Sequence, residues 1–138
     1  MRRTFRHVGY IVENLNESIA VFKQLFDLTD DDIRIEPPFD ISSETRFAFF
    51  EVDGLSFELI EPISDYFKDV LFKSGKGINH VCFTVDDINT AVTHMAAKGI
   101  KPGHVTPNGP ITMPHQKMVY FDPADTRGFL IEYIEPLT

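Results

Sequence analysis

The chain repeats itself. The segment HVGYIVENLN, starting at His7, returns as HVCFTVDDIN at His80, 73 positions later. Both copies open on His-Val, and both place Val at the sixth position and Asn at the tenth. The pairs between are conservative: Tyr10 with Phe83, Glu13 with Asp86, Leu15 with Ile88. A second pair of segments, FELIEP from Phe57 and IEYIEP from Ile131, recurs at an offset of 74. Two segments returning in the same order at nearly the same spacing mark a tandem duplication. At 138 residues the chain has the length of one ordinary domain. It therefore reads as a single domain, 1–138, built from a first module over 1–62, a linker helix over 63–77 and a second module over 78–138.

Local patterns predict the order βαβββ in each module, an α+β fold. Residues 5–12 alternate, with Val8, Tyr10 and Val12 on one face and His7, Gly9 and Ile11 on the other. Asn14 or Asn16 can cap the following helix, where Ile19, Ala20, Phe22 and Phe26 recur at helical spacing. Asp30-Asp31-Asp32 marks a turn, and Pro37-Pro38 ends any short strand before it. Residues 46–52 and 55–61 flank Asp53-Gly54, a strong hairpin signal. The second module repeats the plan, with a strand over 79–85, a helix over 88–98 stopped by Gly99, and strands over 116–121 and 128–135. Ser64 to Ser74 reads as the linker helix. Pro102 to Pro114 reads as a loop with a short strand, placed to cover a site.

The duplication also repeats two metal-competent side chains. His7 and His80 open the first strand of each copy, and Glu58 and Glu132 stand on the last. Strand side chains alternate faces, so each His points away from its neighbouring Val. Gly9 shares the face of His7, and Cys82 and Thr84 share that of His80; such small or polar residues suit a cavity lining. An acid set within apolar strands is costly to bury unpaired. One shared divalent cation resolves that cost for both copies. Two imidazoles and two carboxylates suit Zn, Ni, Co or Mn, with Fe less favoured, and leave room for substrate oxygens. Glu61 and Glu135 recur just beyond the two acids and read as rim or structural acids on the same face. Of the remaining histidines, His94 reads as solvated on its helix. His104 and His115 lie in the Pro-rich loop, within reach of a substrate.

Charge narrows the partners. A formal net charge of -8 with no basic block excludes nonspecific binding to nucleic acid or an anionic membrane. Lys76, Lys117, Arg46 and Arg127 remain as the cations able to hold an anionic substrate tail. Cys82 is the sole cysteine, so no internal disulfide forms, which fits a reducing compartment. No apolar run reaches the ~18 residues of a membrane span, and Glu13, Asn14 and Asn16 interrupt the first apolar stretch. The expected location is cytoplasmic.

RHVGYIV, SFELIEP, GINHVCFTVDDI and GFLIEYIE resemble the vicinal oxygen chelate superfamily, which comprises the glyoxalases, bleomycin-resistance proteins and ring-cleaving dioxygenases. The resemblance covers essentially the whole chain. It implies two tandem βαβββ modules forming an open, curled mixed sheet, a half-barrel, with the helices outside. It implies one divalent metal held by His7, Glu58, His80 and Glu132, and a homodimer. FFEVDGLSFELIEP, GKGINHVCFTVDDI and DPADTRGFLIEYIE are most similar to the methylmalonyl-CoA epimerases, and less so to lactoylglutathione lyases. The implied activity is that of an isomerase, epimerase or lyase removing a proton next to a carbonyl, with the enolate stabilised by the metal. Glu132 is the first candidate for the base and Glu58 the second. The implied substrate is a small molecule, an acyl-CoA or a thiol adduct. The second acid–base glutamate of the epimerase pattern aligns with Phe47 in TRFAFFEV, with Glu44 and Glu51 nearby. Two alternatives stay open: a non-heme metal dioxygenase of the same superfamily, and a non-catalytic protein that sequesters a drug.

Overall fold

The structure is a computed structural model describing residues 2–138. It contains two compact units: His7–Asn79, and His80–Thr138 together with the residues up to Arg6. Each has a mixed four-stranded sheet and the strand–helix–three-strand order expected from the repeat, within an α+β fold.

The His7–Asn79 unit takes most of β1 (Arg3–Ile11), then α1 (Leu15–Phe26), β2 (Arg34–Glu36), β3 (Thr45–Val52), β4 (Leu55–Pro62) and α2 (Asp65–Lys73). The strands lie in the order β2-β3-β4-β1, with β1 parallel to β4 and the other pairs antiparallel. Asn14, rather than Asn16, caps α1: its side chain accepts from the Glu17 N–H at 3.0 Å. The asparate run is a short 3-10 turn, Asp30–Asp32, capped by Thr29. Asp53 and Gly54 both take positive φ, 52° and 79°, which is what a two-residue hairpin turn demands. That turn sets Phe49 opposite Glu58 and Ala48 opposite Leu59. The apolar set Ala48, Phe50 and Leu59 packs under Leu15 and Ile19 of α1. Each such side chain contributes about 1.5–3 kcal/mol when buried. A slip of one residue would drive Glu58 into this core, so burial locks the register. On the other face Ile11 and Ile60 meet Leu71 of α2, with Phe47 against them.

The second unit contains β5 (Gly77–Val85) from His80 onward, α3 (Ile88–Ala96), β6 (Ile111–Thr112), β7 (Gln116–Tyr120) and β8 (Ile131–Pro136). The order is β5-β8-β7-β6, with β5 parallel to β8. Asp87 caps α3 through the Asn89 and Thr90 N–H groups. Ile88, Ala91 and Met95 then bury against Val119, Phe121, Ile131 and Tyr133. In both units the helix after the first strand covers one sheet face, and the repeated His and Glu occupy the opposite face.

Glu61 and Glu135 do not share that face. They lie three residues beyond Glu58 and Glu132, and an odd step along a strand reverses the side chain. Glu61 is the register partner of Arg46. Glu135 accepts a hydrogen bond from the backbone N–H of Ile88 at 2.8 Å, at the start of α3. The expected structural role is shown for Glu135; the expected placement of both is not.

Candidate metal centre

Each unit forms its own histidine–glutamate pair. In the first, His7 on β1 and Glu58 on β4 meet because Gly9 is the register partner of Glu58 in the parallel ladder. His7 Nε2 lies 3.5 Å from Glu58 Oε1. In the second, Cys82 is the register partner of Glu132, and His80 Nε2 lies 3.2 Å from Glu132 Oε1. The residues are shielded from water: His7 is 6%, His80 2% and Glu132 5% exposed. Glu58 is somewhat more open, its side chain 14% exposed.

The spacing bears on what the pairs can do. An imidazole N–H and a carboxylate bonded to each other settle at about 2.7–2.9 Å. Two donors on one first-row cation, each about 2.0–2.2 Å from it, stand roughly 2.8–3.6 Å apart at tetrahedral or octahedral angles. The observed 3.5 and 3.2 Å match co-ligands better than hydrogen-bonded partners. Each pair, one imidazole nitrogen and one carboxylate oxygen, offers donors of the kind that a divalent first-row ion takes.

Tyr120, which sequence reasoning missed, stands beside the second pair. It lies directly opposite Glu132 in the β7–β8 ladder. Its ring meets the His80 imidazole edge-on at 5.2 Å, and its hydroxyl is 3.5 Å from His80 Nε2. The β7–β8 register cannot be read from the chain, because the connection from Phe121 to Leu130 has no short turn signal. His104 is half-buried in the same unit, edge-on to Tyr120 at 5.0 Å. Burial, chiefly, and the neighbouring His80 lower its pKa from the ordinary histidine value, while Glu132 opposes them. His94 and His115 are exposed.

Phe47 lies on the Glu58 face of β3, stacked on Phe49 at 6.0 Å. Neither nearby acid reaches inward: Glu44 is exposed, and exposed Glu51 accepts from the Ser56 hydroxyl at 3.3 Å. Of the four candidate cations, Arg46 is buried and donates to the carbonyls of Pro37 and Ile41. Lys76 is paired with Glu13 over the ring of Phe72. Lys117 is partly exposed and Arg127 exposed. Among the described residues no helix is long and apolar enough to cross a membrane.

A family model described as the Glyoxalase/Bleomycin resistance protein/Dioxygenase superfamily matches residues 6–120. The mitochondrial methylmalonyl-CoA epimerase of Dictyostelium discoideum is 29% identical over 132 residues, covering 94% of this chain and 76% of that protein. The methylmalonyl-CoA epimerase of Mycobacterium tuberculosis superposes with a TM-score of 0.74 at 21% identity, covering 98% of this chain and 89% of that one. A single-substitution variant of the Streptomyces coelicolor enzyme, in complex with 2-nitronate-propionyl-CoA, superposes at 0.73 with 18% identity, covering 98% of each chain.

Proposed function

Because the chain belongs to the Glyoxalase/Bleomycin resistance protein/Dioxygenase superfamily, we propose that it is a metal-dependent isomerase, an epimerase of small acyl-CoA thioesters. The observation carrying this reading is the repeated His–Glu pair, spaced as co-ligands in each copy of the duplicated unit. The 29% identity to the Dictyostelium epimerase over nearly the whole chain supports the substrate class.

In this reading His7, Glu58, His80 and Glu132 hold one divalent ion, Zn, Ni, Co or Mn. When bound, the ion supplies Lewis acidity that draws charge from a substrate carbonyl. The chain's own groups do the rest. His7 and His80 bind as neutral imidazoles through Nε2, the nitrogen that faces each carboxylate. Glu132 takes the proton from the carbon next to the carbonyl and returns it. It is preferred to Glu58 because it is the more buried acid, and a buried base keeps water from the reacting carbon. A well-placed base contributes about 10²–10⁴-fold. Of the four candidate cations, Lys117 and Arg127 are neither buried on backbone carbonyls like Arg46 nor ion-paired like Lys76, and are available to the phosphates of a CoA tail. A homodimer in a reducing compartment completes the proposal.

Elemental analysis and deuterium exchange test it together. The purified protein should carry one equivalent of metal, lost in Glu58→Ala. In heavy water it should exchange the α-proton of methylmalonyl-CoA, and Glu132→Gln should slow that exchange at least 100-fold. Absence of exchange with acyl-CoA thioesters and hemithioacetals, alongside oxygen consumption with a catechol, would sink the isomerase reading and favour the dioxygenase.

A further inference from the structure

The loop after α3 holds His104 in a way the fold does not require. Gly103 presses its backbone onto Asp122, where a β-carbon would come within 2.6 Å of the Asp122 Cα. Thr106 is buried and fastens the loop to β7 at Tyr120. Its hydroxyl oxygen accepts from the Tyr120 N–H at 2.8 Å and lies 3.0 Å from the carbonyls of Tyr120 and Gly103, either of which can take its single proton. Between these anchors His104 takes a φ of 57°, a left-handed conformation that costs a residue with a side chain about 1–3 kcal/mol. The result is a row of rings, His104 on Tyr120 on His80. Among the described residues neither ring nitrogen of His104 makes a hydrogen bond. A half-buried imidazole placed at a backbone cost, one ring removed from a proposed ligand pair and with neither nitrogen bonded within the described protein, has an N–H to offer a ligand.

We infer that His104 is a catalytic residue: its N–H donates a hydrogen bond to the substrate oxygen on which negative charge grows as the α-proton leaves. The inference rests on the epimerase reading and adds a residue to it. No atom is transferred by His104. The C–H pair becomes the enolate, the proton goes to Glu132, and the imidazole remains neutral throughout, stabilising the oxygen by its dipole. Burial supports the neutral form, since it disfavours the imidazolium. The substrate class is an acyl thioester whose α-carbanion delocalises onto oxygen.

Calorimetry with two ligands tests this. 2-Nitronate-propionyl-CoA carries the enolate-like negative charge, and propionyl-CoA does not. His104→Ala should bind the nitronate about 10- to 100-fold more weakly and propionyl-CoA within about twofold of the parent. His104→Gln, which keeps an N–H donor, should recover part of the loss and serves if the alanine variant fails to fold. An equal loss for both ligands, or no loss for the nitronate, overturns the role of His104 while leaving the epimerase reading intact. A parent protein that binds neither ligand overturns both.

Discussion

Tyr120 holds in the β7–β8 ladder the place that Phe49 holds in β3–β4: each lies directly opposite its strand's glutamate, Glu132 or Glu58. The duplication thus keeps an aromatic ring at both sites and a hydroxyl at one. That hydroxyl lies 3.5 Å from His80 Nε2. Tyr120→Phe, which keeps the ring and removes one hydroxyl, should cost about 0.5–1.5 kcal/mol. Tyr120→Ala, which removes a ring buried between two histidines, should cost about 3–5 kcal/mol. Urea denaturation of the two variants measures the contrast.

Phe47 is a packing residue at the position where the epimerase pattern has an acid. It rests on Ile11, Ile60 and Leu71. Full burial of a Phe lost to Ala costs about 3–5 kcal/mol, and half-burial should bring the cost of Phe47→Ala to roughly half that. Metal content should be unchanged. Phe47→Glu should be the less stable variant, because it places a carboxylate against the same apolar side chains. Equal midpoints for the two in urea would show that the side chain at 47 faces water.

Glu135 and Glu132 lie on one strand and should respond oppositely to removal. Glu135→Ala strips the acceptor from the Ile88 N–H and should cost about 0.5–2 kcal/mol, on the scale of a lost helix cap. It should leave bound metal at one equivalent. Glu132→Ala should release the metal. Thermal unfolding and elemental analysis on both variants separate a helix acid from a ligand acid.

Asp125 gives an acid limb to stability. Its carboxylate accepts from the Lys101 N–H at 3.1 Å and from the Lys101 ammonium at 3.1 and 3.0 Å, which holds its pKa below the ordinary aspartate value. A carboxylate with a depressed folded-state pKa stabilises fully above the unfolded value, about 3.9, and the contribution fades as pH falls through the folded value. Asp125→Asn should flatten the dependence of stability on pH in that acid window and leave the slope near neutrality unchanged. Denaturation midpoints measured across the acid range check the sign.

Periodicity and punctuation made most of the fold legible. Asp53-Gly54 announced a two-residue turn, and with it the register that sets Glu58 beside its neighbours. Asn14 or Asn16, and Ser64, announced helix starts, and the repeat announced the two His–Glu pairs. Two things were missed. The parity of Glu61 and Glu135 follows from counting strand steps, and counting places them on the helix side, where Glu135 serves α3. Tyr120 depends on a long connection; His104 was placed in the loop within reach of a substrate, but its packing on Tyr120 depends on a loop path fixed by the Thr106 hydroxyl. Neither strand period nor turn residues encode a contact of that kind.

Cys82 is fully buried, next to Glu132 across β5 and β8, and no other thiol exists in the chain. A soluble alkylating reagent therefore has a single target, reached only when that strand pair parts. Its labelling rate under native conditions is a clock for the breathing of the His80–Glu132 arm. Since a bound ion would tie those strands together, the clock should slow when metal is added and quicken with a chelator, without any substrate being known.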